Sequence, residues 1–274
     1  MRTILNPGNQ LSNPAEYYVS WSGKVEKVKN TKGEIEKEGG YFFWKDQDND
    51  YAPVALSTPM IMYPIGESMS ITGGIYDGAS NSGTFLSSNE FGGWDETITV
   101  YEKESGASSS DRIARGQWQD IKDTVKAHGG KIQTNLYVVA KIGDEPSIVR
   151  LQVKGAASMA LGKFRKNQGK KFYEQALKWT GVEYRVNGSV DYAAPKFEAG
   201  DAYTETELNS LQEYAKIISE YGQALAARNA ESANQPVIID DNGEEPVKDN
   251  VPSVEEVDEM LAQSEEIDLN SMPF

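Results

Sequence analysis

Between residues 150 and 197 the chain carries Arg150, Lys154, Lys163, Arg165, Lys166, Lys170, Lys171, Lys178, Arg185 and Lys196, against Glu174, Glu183 and Asp191. That is a net +7 over 48 residues, in a chain whose formal charge is −15. Aromatic residues are interleaved with the charges: Phe164, Phe172, Tyr173, Trp179, Tyr184, Tyr192 and Phe197. Single-stranded nucleic acid calls for this combination, because phosphates need counter-charge while unpaired bases stack on π-faces. The run Lys163, Arg165, Lys166, Lys170 and Lys171 spans a helix end and a loop and is the first candidate contact. Lys154, Lys178 and Arg185 extend it. Trp179 shares its strand parity with Leu177 and reads as core rather than platform, and Tyr184 falls under the same suspicion.

A second source of contacts is the first hairpin. Tyr17, Val19, Trp21 and Val25 share one parity, while Tyr18, Ser20, Ser22 and Lys24 share the other. Asn30-Thr31-Lys32-Gly33 is a turn signal, and residues 34–45 return as a strand ending Tyr41-Phe42-Phe43-Trp44. Parity places Tyr18 with Lys24 on an outward face. One pair from that aromatic run, taken as Phe43 and Trp44 among the candidate contacts, has to turn from the core in a single-layered barrel.

The rest of the chain supplies supports for these residues. Short strands are expected near Val54, over 68–72 and over 97–101, divided by Gly73-Gly74 and Gly92-Gly93. A helix is expected over 112–127, ended by Gly129-Gly130. A hairpin follows over 132–142 and 148–153, then a short helix over 156–166. Another hairpin over 177–186 and 189–197 is closed by Asn187-Gly188, the strongest turn signal in the chain. Thr204-Glu205-Thr206-Glu207 is a capping box that opens a helix to about residue 229. Many short strands with few helices predict a mainly β fold, β or α+β. The expectation is an elaborated OB-fold-like β-barrel with a C-terminal helix. Residues 1–14 read as an arm, 15–200 as the binding domain and 201–230 as the helix.

Enzymatic readings fare badly. There is no cysteine and only one histidine, His128, so thiol chemistry and cysteine-based zinc sites are excluded and no metal or cofactor is called for. Asp46, Asp48 and Asp50 imitate a calcium loop, but Tyr51 stands where glycine is needed and Ser57 where the bidentate glutamate belongs. The Gly155 to Lys163 stretch lacks phosphate-loop spacing, with Phe164 in place of Ser or Thr. His128 has no nucleophile patterned around it. No signal-like apolar run opens the chain and none approaches ~20 residues, so a cytoplasmic protein without membrane partners is expected.

Residues 231–274 hold thirteen carboxylates and one basic residue, Lys248, and so carry −12 of the −15. Such a run cannot bury enough apolar surface to offset its ordering entropy, and 231–274 is expected to be a disordered acidic tail. It closes on Asp268-Leu269-Asn270-Ser271-Met272-Pro273-Phe274. Asp268, Met272, Pro273 and Phe274 suit capture by a partner, with phenylalanine in a pocket and carboxylate on a basic residue. This acidic run ending in Pro-Phe resembles the C-terminal tip of bacterial single-stranded DNA-binding proteins, and the tails of their phage counterparts. The bacterial family carries aspartates almost up to the Pro-Phe, whereas four uncharged residues intervene here. The resemblance implies a non-enzymatic protein of phage DNA replication, recombination and repair in the host cytoplasm. Its tail would compete with DNA for the cationic surface and recruit replication or recombination proteins. A viral assembly component with an acidic tail is the alternative, and a metal-dependent nuclease the third.

Overall fold

The computed structural model describes residues 12–29, 35–46, 52–77, 82–187 and 190–234. They form eleven strands and three α-helices. In order these are β1 (Tyr17–Lys29), β2 (Ile35–Asp46), β3 (Ala52–Ala55), β4 (Met60–Asp77), β5 (Ser82–Ser88), β6 (Ile98–Glu104) and β7 (Asp111–Gly116). Then come α1 (Trp118–Ala127), β8 (Gly130–Lys141), β9 (Pro146–Val153) and α2 (Gly155–Gln168). A 3-10 turn at Gly169–Tyr173 leads to β10 (Gln175–Asn187), β11 (Val190–Ala202) and α3 (Glu205–Asn234). The fold is mainly β, as expected. Its sheet is open: among the described residues β3 pairs only with β2 and β7 only with β6, so no pairing closes an OB-type barrel. The expected arm up to residue 11, the 30–33 turn, Gly188 and the acidic tail from 235 lie outside the described residues.

The chain divides into two compact units. Among the described residues, the first contains those from 12 to 67 and Gln133–Tyr221, and the second contains Ser68–Ile132 and those from 222 to 234. In the first unit β2 and β1 form the expected hairpin, and β8 with β9 the next. They are joined by a parallel pairing of β1 with β9, Tyr17 to Ser20 against Val149 to Gln152. Alternate residues of these strands (Val19, Trp21, Phe42, Leu136, Val138, Val149, Leu151 and Val153) form one apolar face. Ala157 and Leu161 of α2 and Phe172 of the 3-10 turn cover it. The β10–β11 hairpin adds Leu177 and Trp179, the latter only 2% exposed as its parity required. Gly40, at φ +80°, sits where a Cβ would come within 2.5 Å of Ala193 Cβ, so the close passage of the two hairpins depends on glycine there. The capping box forms as read: Glu207 accepts hydrogen bonds from the Thr204 backbone at 2.8 Å and hydroxyl at 2.7 Å, at the start of α3.

The second unit is an antiparallel meander of the later part of β4, β5, β6 and β7, with α1 beside it. Ile71, Phe91, Ile98, Val100, Ile121 and Val125 are its core. The helix expected over 112–127 is shortened. Arg112, Ala114, Arg115 and Gly116 pair with β6, and the helix starts only at Trp118, after Gly116 at φ +153°. Strand pairing outweighs the helical periodicity of Ile113 with Trp118 and Ile121. β5 and β7 escape the sequence reading, and β4 is far longer than the 68–72 segment expected.

Candidate nucleic-acid interface

The face of the first unit's sheet opposite its apolar core is polar. Successive side chains alternate across a strand, so Tyr18, Ser20 and Ser22 of β1 point away from the core residues Val19 and Trp21. Register aligns Tyr18 with Arg150 of β9 and Arg150 with Tyr137 of β8. The next row is Phe43, Ser20, Gln152 and Asn135, and the next places Tyr41 beside Ser22. Lys45 of β2 and Lys154, which leaves β9 in extended conformation, have the same parity. No carboxylate belongs to these rows.

The polar side chains are held closely. Ser20 Oγ donates to Gln152 Oε1 at 3.3 Å, and Gln133 Nε2 donates to Asn135 Oδ1 at 3.1 Å. Ser20, Ser22, Gln133, Asn135, Arg150 and Gln152 are all buried. Burying polar groups costs free energy that an apolar residue would not incur, so packing alone does not account for this row. The Arg150 guanidinium lies over the Tyr18 ring, 5.5 Å from its centroid. Tyr18, Tyr41, Lys45 and Lys154 are half-buried and so keep accessible surface. At the Tyr137 end the face is closed by Ile148 and by Ile218 of α3, with Asn13 Nδ2 donating to Tyr137 Oη at 2.8 Å.

The residues expected from sequence divide between the two sides of this sheet. Tyr18 and Lys154 belong to the polar face. Phe43 has the same parity but is only 6% exposed, so it is a buried neighbour of the face and not a stacking platform. Trp44 points to the other side, edge-on to Tyr17 at 5.1 Å and against the apolar core, which corrects its expected outward place. Lys24 is exposed, within the β1 bulge between Ser22 and Val25, with Glu26 at 3.5 Å. Tyr184, suspected of being core, is 39% exposed and donates to Gly39 O at 3.1 Å.

Lys163, Arg165, Lys166, Lys170 and Lys171 are exposed on α2 and the 3-10 turn. Because α2 covers the apolar face, this cluster lies across the sheet from Tyr18 and Arg150. Arg165 is also ion-paired with Glu67. Beside them, the Tyr173 phenol is pushed up to about 12 by burial and by the Glu67 charge. Arg185 is paired with Glu183 at 2.8 Å, holding that carboxyl below the usual range, and Lys178 lies 3.9 Å from Asp201. The +7 stretch therefore does not form one continuous track.

Sequence reading counted Arg150 in the basic stretch and Tyr41 in the aromatic run without choosing either as a contact, and it did not choose Lys45, Gln152 or Asn135. The even-numbered polar set Tyr18, Ser20 and Ser22 was legible, but its partners on β8 and β9 are recruited by a long-range parallel pairing. Asp268, Met272, Pro273 and Phe274 lie outside the described residues.

Compared with protein-family models, curated proteins and solved structures, the chain matches none. Among the described residues no group of three or more His, Asp or Glu side chains could hold a metal ion, and no helix is long and apolar enough to cross a membrane. His128 follows α1, with Nδ1 2.8 Å from Glu102 Oε1.

Proposed function

We propose that this chain binds single-stranded DNA, without catalysing a reaction, on the polar sheet face centred on Tyr18 and Arg150. One observation carries the reading: on the sheet face opposite the apolar core, the register lines up aromatic, cationic and amide side chains in adjoining rows that include no carboxylate. Bases stack on the accessible tyrosine rings and phosphates are met by Lys45 and Lys154, while buried Arg150 backs the Tyr18 ring. A β-sheet surface suffices for this chemistry, so the OB-like role does not need a closed barrel.

Residues 235–274 supply the regulation in this reading. A tethered polyanion competes with the strand for the cationic face at high effective concentration. A bound strand repels it, freeing Asp268, Met272, Pro273 and Phe274 to engage replication or recombination proteins.

The experiment is a gel shift with single-stranded and duplex competitors, repeated with and without divalent cation. Single strand is expected to outcompete duplex, with the DNA left intact. No binding would favour the assembly-protein reading, and cation-dependent loss of DNA would favour a nuclease.

A further inference from the structure

We infer that the exposed ring of Trp94 in the second unit, with half-buried Trp118 beside it and buried Phe91 beneath, seats this chain's own segment Pro236-Val237-Ile238-Ile239. Trp94 is 47% exposed, with its ring centroid 5.9 Å from that of buried Phe91 and 5.8 Å from that of Trp118. The loop is built to present it. Glu96 Oε1 accepts the backbone N–H groups of Gly92 and Gly93, both at 2.8 Å, and Gln117 Nε2 donates to Asp95 O at 3.0 Å. These hydrogen bonds tie down the backbone on both sides of the exposed ring. Asp95 beside it opposes a phosphate-bearing occupant.

The same loop grips α3, and that identifies the occupant. Asn229, only 4% exposed, donates through Nδ2 to Glu90 O and to Glu96 Oε2, both at 2.9 Å. It accepts from Asn89 Nδ2 at 2.8 Å. The helix ends at Asn234, five residues further and roughly 8 Å along its axis. Pro236 follows two residues later, so the segment begins within short reach of Trp94. Pro236-Val237-Ile238-Ile239 is also the one run of four apolar residues between 231 and 274. Docked there, it sets the point on the second unit from which the acidic run beginning at Asp240 departs. This inference stands apart from strand binding, and either can fail without the other.

The test is acrylamide quenching of tryptophan fluorescence in the full chain, in a chain ending at Asn234, and in an Ile238→Asp/Ile239→Asp double variant. Each is paired with its Trp94→Phe counterpart, and far-UV circular dichroism checks the fold. The shortened chain and the double variant are expected to show red-shifted emission and increased quenching. Both changes are expected to vanish in the Trp94→Phe backgrounds. Equal quenching in all three chains overturns the inference. Protection that disappears on dilution overturns it as well, by assigning the segment to a second copy.

Discussion

The guanidinium of Arg150 sits over the ring of Tyr18, its register partner across the parallel β1–β9 pair, with the carbon 5.5 Å from the ring centroid. Delocalised positive charge is thereby held against the π-surface on which, under the proposed function, a base stacks. The neighbouring row of Ser20, Gln152 and Asn135 keeps the surroundings polar.

Tyr18→Ala is expected to weaken single-strand binding by roughly 1–3 kcal/mol, the loss of one stacked base. Trp44→Leu, on the other side of the sheet, should leave affinity unchanged while lowering the denaturation midpoint. Fluorescence anisotropy and urea unfolding on both variants check this. Equal affinity losses would place the strand elsewhere.

The salt dependence of binding separates the two cationic regions. Each phosphate contact removed should lower the slope of log K against log salt by about 0.7. Replacing Lys45 and Lys154 with Ala should flatten it by that amount per contact. Replacing Lys163, Lys166, Lys170 and Lys171 should leave the slope intact. The reverse result would move the strand to α2.

Removing residues 235–274 is expected to tighten single-strand binding at low salt. The gain should shrink as ionic strength rises, because screening weakens the tail's attraction to the cationic face. Titrations at two salt concentrations decide it, and unchanged affinity at low salt would end the competition model.

Asp191 gives a pH prediction for the contact between the hairpins. Hydrogen bonds from Lys27, at 2.7 Å, and Lys37 hold its carboxyl below the usual carboxylate range. A depressed folded-state pKa contributes stability above the unfolded pKa and loses it as pH falls through the folded value. Wild-type protein should therefore lose more stability than Asp191→Asn between about pH 5 and pH 3. Urea midpoints at the two pH values measure the difference, which should be small because both lysines keep contact with solvent.

Local signals were legible where local physics decides the outcome. The Asn187-Gly188 signal predicted the β10–β11 pairing, which runs to Asn187 against Val190. The alternation of Leu177 and Trp179 placed the tryptophan in the core, and the Thr204–Glu207 box began α3. Where pairing over distance competes with local preference, reading failed. Residues 111–116 carry a helix-like pattern yet join β6, and Trp44, grouped with an outward pair, packs against Tyr17.

The sequence by itself determined the two-signed character of this protein, with a basic, aromatic-rich stretch in the folded body and an acidic run after α3. Composition and spacing carry that information without coordinates. Only the tertiary structure decided which of those residues share a surface. Tyr18 and Arg150 lie far apart along the chain, and no turn or periodicity links them. The parallel β1–β9 pairing, set by burial of Val19, Val149 and Leu151 on one side, brings them together on the other, while α2 carries the conspicuous lysines to the opposite side of the sheet.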